Sequence, residues 1–450
     1  MLSNGATDRA REHRVRGVAD SVGAEVWLWG RRVGAAAEDR AGRVVFQYDP
    51  DFVRDGWEIS PVHLLRATVG SAPVTFDELT RVEAFQGLPG VLADALPDRF
   101  GNAIITKYFI DRGQVDAALS PVQRLLYVGA RALGALEFRP AVRRQVTKAE
   151  LLPLQLSALV TEAQAVIGGR TDIALPEIMR IGASAGGARA KAVVLWNRAA
   201  GTLRSDFAPP APGEEHWLLK FDGTGERGAP SDAPQPYNRI EAAYAALARD
   251  GGLHVAETEL LEDGGYTHRM VRRFDRVRNQ PGSSGARLHL HSLGGMQHAD
   301  YNAPGAYSYE GLLRTVLSLG LDYRVLTEAF RRAVFNVAFV NQDDHVKNIS
   351  FLMDREAGWR LAPAYDLTFA RGAGFTRNHQ MSVNGKVTDI QHADLLALGA
   401  LVGLPRDGAR EIDRILDARS RWTAVAESKG VPAKDIERVH AVFPALRGRK

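Results

Sequence analysis

Short segments in which apolar and polar residues alternate dominate the first part of the chain. The stretches AEVWLWG and GRVVFQYD are separated by glycine and charged turns and have the two-residue period typical of antiparallel strands. The later stretches GVLADALPDRFGNAIITKYFI and PVQRLLYVGARALGALEF have helical periodicity instead. The pattern therefore predicts an α+β unit over residues 22–145, preceded by a flexible polar N-terminus over residues 1–21.

The middle of the chain combines short strands with one clear helix. The apolar stretches AVVLW, HWLLKF and THRMVRRFD are typical of strands, whereas RIEAAYAALARDGG has helical spacing and a glycine stop. Residues 146–280 are therefore predicted to form a strand-rich unit, and residues 281–450, with mostly helical spacing, a helical one. A small strand-rich lobe followed by a helical lobe predicts a cleft between the two.

The composition excludes several kinds of chemistry. The 450 residues contain no cysteine, which rules out disulfides, thiolate zinc sites, iron–sulfur clusters and cysteine nucleophiles. The 57 Lys and Arg against 53 Asp and Glu leave a net charge of +4, too weak a bias to mark a nucleic-acid-binding surface. No apolar run reaches the ~18 residues of a membrane span. With a polar start that lacks a signal-peptide core, the sequence indicates a cytoplasmic protein without membrane association.

The strongest chemical signal lies in FVNQDDHVKNISFLMDREAGWRLAPAYDLT. Asp343 and Asn348 have the D-x-x-x-x-N spacing of a kinase catalytic loop, in which the aspartate accepts the substrate hydroxyl proton and the asparagine binds Mg²⁺. The stretches ISFLM and WRLAP predict a β-hairpin that returns Asp366 to the same metal. Two alternatives are a solvated acidic loop and a two-metal hydrolase site built from Asp343, Asp344, His345 and Asp366.

Two weaker signals lie upstream of this segment. The small residues of SAGGARAK, residues 184–191, would let backbone N–H groups approach phosphates, and Lys191 or Arg189 would add charge. Lys220 lies inside an apolar strand, where burial requires an anionic partner. Glu241 on the following helix would supply it, because kinases place their strand lysine and helix glutamate in this order.

The segment HRMVRRFDR, residues 268–276, joins the strand-rich and helical units. Such a linker is where a hinge would offer backbone groups to adenine, with Asp275 near the ribose hydroxyls. Each of these upstream signals also fits an ordinary surface strand or turn. Their order along the chain is that of the working parts of a protein kinase: glycine-rich turn, strand lysine, helix glutamate, linker, D-x-x-x-x-N and aspartate.

The chain resembles the HipA-like serine/threonine kinases, the toxin components of bacterial HipBA-type toxin–antitoxin modules. NQDDHVKNISFLMD and LAPAYDLT resemble the catalytic loop and metal-binding aspartate of this family, and IGASAGGARAKAVV its glycine-rich phosphate loop. HWLLKF, VRRFDR and QMSVNGK resemble its ATP-lysine strand, its hinge and the segment after the metal-binding aspartate. The resemblance implies a two-lobed, protein-kinase-like α+β fold with an N-terminal β-rich subdomain and a mainly helical C-terminal lobe.

The same resemblance implies roles for individual residues. Asp343 would be the general base, His345 would support the catalytic loop, and Asn348 and Asp366 would bind Mg²⁺. Contacts to ATP would come from the glycine-rich loop, the strand lysine and its glutamate, and the hinge: Ser184, Gly186, Gly187, Lys191, Lys220, Glu241, Arg272, Phe274 and Asp275. Arg272 and Phe274 would contribute backbone groups. Ser184 is also the position at which such kinases autophosphorylate, which would eject the loop and inactivate the enzyme.

The segment LHLHSLGGMQHADYNAP, residues 288–304, departs from the R-x-H-Q-E-D-like stretch of many family members and indicates a divergent subgroup. The resemblance implies a protein substrate, which is an aminoacyl-tRNA synthetase in the best-known members. It also implies a separate HipB-like DNA-binding antitoxin, through which nucleic acid would be contacted indirectly. The alternatives are a catalytically silent kinase-like partner or co-repressor and a small-molecule kinase.

Overall fold

In the computed structural model the described residues are 22–97, 99–110, 119–140, 152–167, 190–223, 234–277, 286–404 and 407–446. The predicted flexible terminus and the glycine-rich turn with Ser184, Gly186 and Gly187 lie outside these ranges. Within the described residues, no helix is both long and apolar enough to cross a membrane.

The first unit is built on a five-stranded antiparallel sheet. The strands are β1 (Gly23–Leu28), β2 (Arg31–Glu38), β3 (Val44–Tyr48), β4 (Val74–Thr75) and β5 (Leu136–Arg139). They pair in the order β4-β3-β2-β1-β5. The helices of this part of the chain are α1 (Pro50–Asp55), α2 (Arg66–Val69), α3 (Gly90–Ala93), α4 (Arg99–Ile110) and α5 (Pro121–Val128).

Local sequence explains both kinds of element in this unit. Side chains on one face of β1 and β3 are buried and alternate with more exposed ones, which is the two-residue period of the sequence. Helix α5 begins at a capping box, in which Ser120 and Gln123 each accept from the other's backbone N–H. Pro121 follows at the first helical position, where its missing N–H is harmless.

The second unit is another five-stranded antiparallel sheet, and it provides one wall of the cleft. The strands are β6 (Lys191–Asn197), β7 (Thr202–Ser205), β8 (Glu215–Lys220), β9 (Thr258–Asp263) and β10 (Tyr266–Arg272). They pair in the order β7-β6-β8-β10-β9. Two helices accompany this sheet in sequence, α6 (Leu156–Ile167) and α7 (Tyr237–Asp250). Alternation along β8 buries Trp217 and Leu219 against α4 and α6 and turns Lys220 to the opposite face.

The third unit is mainly helical and contains a small sheet. Its helices are α8 (Leu293–Gln297), α9 (Tyr309–Ser318), α10 (Tyr323–Ala338), α11 (His392–Leu401), α12 (Asp407–Ser420), α13 (Trp422–Ser428) and α14 (Ala433–His440). Strands β11 (His289–Ser292), β13 (Ser350–Met353) and β14 (Trp359–Leu361) are antiparallel, and β12 (Tyr307–Ser308) pairs in parallel with β15 (Met381–Ser382). The predicted hairpin before Asp366 is confirmed as β13–β14.

Helix α7 joins the second and third units. It packs on β9 and β10 on one side and on α12 and α13 on the other. Tyr244 lies at the centre of an aromatic cluster with Phe335, Phe339 and Trp422, and its hydroxyl donates to the Phe339 carbonyl at 2.7 Å. Because both lobes hold this helix, they also fix the position of Glu241 on it.

The first unit is tied to the linker after β10 through one carboxylate. Asp275, which is 2% exposed, accepts from the backbone N–H of Gly134 at 2.7 Å and from the guanidinium groups of Arg273 and Arg276, each at 2.6 Å. Arg273 also donates to the Ala132 carbonyl, and Arg276 to the Gly134 carbonyl. This buried network connects two parts of the chain that are about 140 residues apart in sequence.

Histidines form a second joint between the first and third units. His289 contacts the Ile59 carbonyl through Nε2 at 2.9 Å. His291 lies between the Asp94 carboxylate at 2.7 Å and the Ser60 hydroxyl at 3.1 Å. Both imidazoles are completely buried. The segment that departs from the family pattern therefore lies at a contact between units.

A close backbone approach completes this joint. Helices α3 and α8 meet at Gly90 and Gly295, where a Cβ added to Gly90 would collide with the Gly295 carbonyl oxygen. The Gly90 backbone N–H donates to Nε2 of His298 at 3.1 Å, and the His298 ring stacks on His63 at 4.1 Å. Glycine is required at this contact for lack of space.

We expect acid to destabilise the protein through this joint. Burial lowers the pKa of His289 from 6.5 to about 4, and burial together with His63 lowers that of His298 to about 3. Both rings stay neutral in the folded protein while the same histidines take up protons in the unfolded chain. Their contribution to the free energy of unfolding is therefore fully present above pH 6.5 and is lost as the pH is lowered toward 4. At pH 5, His289 alone accounts for about 2 kcal/mol of this loss.

The measurement is the thermal midpoint at pH 7 and pH 5 for the wild type and for His289→Gln, whose amide can still donate to the Ile59 carbonyl. The variant should lose less stability between the two pH values than the wild type. His440→Gln, at an exposed position at the end of α14, is the matched control and should behave like the wild type. An identical acid-induced loss in His289→Gln would assign the effect to other groups.

Candidate functional site

A buried lysine spans the cleft between the second and third units. Lys220 Nζ lies 2.5 Å from Oε1 of Glu241 and 2.5 Å from Oδ1 of Asp366. Burial disfavours the ammonium form, but the charges of Asp366 and Glu241 outweigh it and raise the pKa of Lys220. The anionic partner required by a lysine in an apolar strand is therefore Glu241, with Asp366 as a second.

Asp366 follows β14 and has a left-handed backbone, with φ of +53°. This conformation is uncommon for a residue with a side chain and concentrates at functional sites. Burial alone would raise the pKa of Asp366, but the positive charges of Lys220 and Lys191 hold it well below its usual range. The carboxylate is therefore ionised and directed to the cations of the second sheet.

The catalytic-loop candidates lie beside this ion pair. Nδ2 of Asn348 donates to the backbone carbonyl of Asp343 at 2.8 Å, so the D-x-x-x-x-N spacing closes a tight loop. The Asp343 side chain is 41% exposed, and His345 Nε2 is 3.9 Å from its Oδ1. Partial withdrawal from water raises the pKa of Asp343 even at this exposure, an effect opposed by His345 and reinforced by the charge of Asp366. An accessible carboxylate with a raised pKa suits proton transfer.

Asp344 faces the opposite way. It is 1% exposed and accepts from the Tyr309 hydroxyl at 2.8 Å, from Nδ1 of His379 at 2.9 Å and from the backbone N–H of Gln380 at 2.7 Å. These bonds attach the candidate catalytic loop to α9 and to the segment after Asp366. Both oxygens of Asp344 accept from protein donors, so Asp344 is not available as a metal ligand in the two-metal hydrolase alternative. Nor do the described residues contain a group of three or more His, Asp or Glu side chains placed to hold a metal ion.

Sequence reasoning singled out QMSVNGK only as a resemblance, and its first residue proves to fasten the loop. Besides its backbone bond to Asp344, Gln380 donates through Nε2 to the carbonyls of Phe375, at 2.6 Å, and Asn378, at 2.9 Å. Tyr309 and His379 were missed altogether. The sequence shows only a hydroxyl-bearing residue at the start of a helix and a histidine shortly before a short strand, and neither feature predicts a contact with Asp344.

The hinge candidates contact other parts of the protein. The backbone N–H of Arg272 donates to the Glu257 carbonyl at 2.8 Å and is not open to adenine, so the Arg272 carbonyl and the Phe274 backbone stay the predicted hinge groups. The Arg272 guanidinium contacts Glu215 at the sheet surface. Phe274 stacks on Tyr365, with ring centroids 5.5 Å apart, and so connects the linker to the residue before Asp366.

The position of the Asp275 side chain differs from the prediction that it lies near the ribose. Its two oxygens accept from Gly134, Arg273 and Arg276 in the buried joint described above. Burial would raise the pKa of Asp275, but the two arginines hold it far below its usual range. The physical reason for the difference is that the first unit packs against the linker, and its Gly134 N–H donates to this carboxylate.

Two further cations border Lys220. Lys191, the first residue of β6, lies opposite Lys220 in the sheet and is 3% exposed. Arg269 lies opposite Lys220 on the other side, in β10, and its Nη1 is 3.2 Å from Oε1 of Glu241. Sequence reasoning missed Arg269, although it is a cation in an apolar strand and the argument that selected Lys220 applies equally to it.

Fold and site together are those of a two-lobed, protein-kinase-like α+β protein: a strand-rich lobe with a lysine–glutamate pair, and a helical lobe with Asp343, Asn348 and Asp366. Residues 183–423 match the family model for the HipA-like C-terminal domain, and residues 24–139 match that for the HipA N-terminal domain. The chain therefore belongs to the HipA-like family, as its resemblance indicated.

Known proteins agree with this assignment over nearly the whole chain. A Sinorhizobium fredii protein named "Putative kinase Y4mE" is 27% identical over 449 residues, which is 94% of this chain and 96% of that protein. Among solved structures, HipA of Shewanella oneidensis, determined with HipB and its operator DNA, has a TM-score of 0.64 at 19% identity. The match covers 93% of this chain and 99% of that one. This similarity shows that the two share a fold.

Proposed function

We propose that this protein is an ATP- and Mg²⁺-dependent serine/threonine protein kinase and the toxin component of a type II toxin–antitoxin system. The observation that carries the proposal is the position of Lys220, whose ammonium contacts both Glu241 and Asp366 at 2.5 Å across the cleft. A lysine held by a helix glutamate and facing a metal-binding aspartate is the arrangement that protein kinases use for ATP phosphates.

The residues present fit a magnesium ion. Mg²⁺ prefers hard oxygen ligands, and Asp366 supplies an ionised carboxylate. Asn348 uses its amide nitrogen on the Asp343 carbonyl, which leaves its amide oxygen as a ligand atom. Asn348 and Asp366 would hold the ion, which when bound neutralises charge on the ATP phosphates.

Asp343 would orient the acceptor hydroxyl and take its proton. The hydroxyl oxygen forms the new bond to the γ-phosphorus, the bond from that phosphorus to the β,γ-bridging oxygen breaks, and ADP leaves. Lys220 would hold the phosphates during transfer, and Asp344 would keep the loop in place through Tyr309 and His379. Positioning and charge neutralisation supply most of the rate enhancement in such reactions.

The partners follow from the family. The Shewanella HipA was determined in a complex with HipB and operator DNA. We infer that this chain likewise has a HipB-like antitoxin and reaches DNA only through it. The substrate is inferred to be a bacterial protein, an aminoacyl-tRNA synthetase being the candidate from the family resemblance.

The direct test is incubation of the purified protein with Mg²⁺ and ATP, followed by peptide mass spectrometry. We expect phosphate on Ser184, none after chelation of the metal, and none at this position in Ser184→Ala. Phosphate found only at other residues would remove the assignment of Ser184. Binding of ATP without transfer to itself or to any protein of a bacterial extract would favour the catalytically silent alternative.

A further inference from the structure

Three basic side chains form one row across the second sheet. Lys191 in β6 is directly opposite Lys220 in β8, and Lys220 is directly opposite Arg269 in β10. Residues directly opposite each other in antiparallel strands project from the same face. The three are 3%, 6% and 2% exposed. Like charges in such a row repel one another, so nearby negative charge is needed to stabilise them.

Two buried carboxylates pair with Lys220 and Arg269. Glu241, 2% exposed, contacts Lys220 at 2.5 Å and Arg269 at 3.2 Å, and Asp366 contacts Lys220. Glu241 is therefore shared between Lys220 and Arg269, and Lys220 is shared between Glu241 and Asp366.

Arg269 itself is incompletely satisfied. Its Nε and Nη1 are buried and make no hydrogen bond to any described residue, although Nη1 lies within ion-pair distance of Glu241. Buried donors without acceptors destabilise a fold, and an apolar residue such as the neighbouring Met270 would fill this strand position without that penalty. A purely structural role therefore does not explain an arginine here.

We propose that Arg269 is a positioning residue of the phosphate site, an inference that rests on the proposed kinase function. In the structure, Lys220 is shared between Glu241 and Asp366, whereas ATP binding requires its ammonium to face the phosphates and Asp366 to face the metal. Arg269 keeps its contact with Glu241 while the Lys220 ammonium turns from Asp366 to the phosphates. The buried Glu241 carboxylate therefore has a positively charged partner throughout.

The experiment compares Arg269→Met, Arg269→Lys and the wild type by calorimetric titration with three probes: adenosine, Mg²⁺ with a non-hydrolysable ATP analogue, and inorganic tripolyphosphate. In Arg269→Met we expect at least tenfold weaker binding of both phosphate-containing probes, unchanged adenosine binding, and a ligand-free thermal midpoint that is equal or higher. Arg269→Lys should restore part of the lost affinity.

Arg204→Met is the matched control, because it removes an arginine paired with Glu214 at the edge strand β7 of the same sheet. Its affinity for the ATP analogue should stay within twofold of the wild type.

The outcomes separate this inference from the proposed function. If the wild type binds the ATP analogue and Arg269→Met binds it equally well, the role of Arg269 is overturned and the kinase proposal stands. A lower thermal midpoint with unchanged polyphosphate affinity would make Arg269 structural and would also overturn the inference. Failure of the wild type to bind the ATP analogue would overturn both.

Discussion

Replacing Asp343 with asparagine should reduce phosphoryl transfer by a factor of about 10²–10⁴, the usual contribution of a positioned base. The amide has nearly the same shape but cannot accept the hydroxyl proton. The fold should be retained, because the contact that closes the loop is made to the backbone carbonyl of Asp343 and not to its side chain. Since withdrawal from water raises the pKa of Asp343, a neutral side chain here should leave the thermal midpoint unchanged or raise it.

The measurement is incorporation of labelled phosphate, with phosphoproteomics of cells that express either protein to find the acceptor. Asp354→Asn provides the matched control, because Asp354 pairs with Arg360 at the exposed turn of the same β13–β14 hairpin. Transfer by Asp343→Asn at the wild-type rate would show that another group is the base.

Replacing Asp275 with alanine should reduce the free energy of unfolding by about 3–5 kcal/mol, the usual effect of removing one partner from a buried ion pair. Arg273 and Arg276 would remain buried beside each other without their carboxylate, and the Gly134 N–H would lose its acceptor. The environment is already unfavourable for a cation, since burial and the charge of Arg273 lower the pKa of Arg276 to about 9 even with Asp275 present.

Denaturant unfolding of Asp275→Ala measures this effect, and limited proteolysis shows whether the first unit separates from the linker. Asp250→Ala is the control, because it removes an aspartate from an exposed pair with Arg421, where a loss of about 0–1 kcal/mol is usual. If both variants lost the same small amount, the joint would not depend on this carboxylate. A large rise in KM for ATP with unchanged stability would instead return Asp275 to the nucleotide site.

The sequence was most informative where one local signal sufficed. A lysine in an apolar strand and a glutamate on the next helix predicted a pair that the structure contains, and two apolar stretches predicted the hairpin that leads to Asp366. Asp343 and Asp344 show the limit of such reasoning. The two carboxylates are adjacent in sequence, and only the hydrogen bonds from Tyr309 and His379 to Asp344 decide which of them is turned inward.

Long-range packing explains the remaining errors. Nothing near Asp275 in sequence indicates that Gly134 will donate to it, because the two residues are 141 positions apart. The histidines of residues 288–304 likewise acquire their partners from the first unit. Arg269 differs from these residues, because the rule that a buried charge in a strand needs an opposite charge applies to it as it does to Lys220 and requires no long-range information.

The contact between Gly90 and Gly295 limits how the parts of this protein can be exchanged. Each glycine leaves no room for a side chain on the other's helix, and a Cβ on Gly295 would also strike the Asp94 carboxylate that holds His291. A first unit taken from a relative could dock on this kinase-like core only if it brought a glycine at the same place and an acidic residue one helical turn later. A chimera of a first unit and a core from two different relatives would therefore have to match at this contact in order to pack.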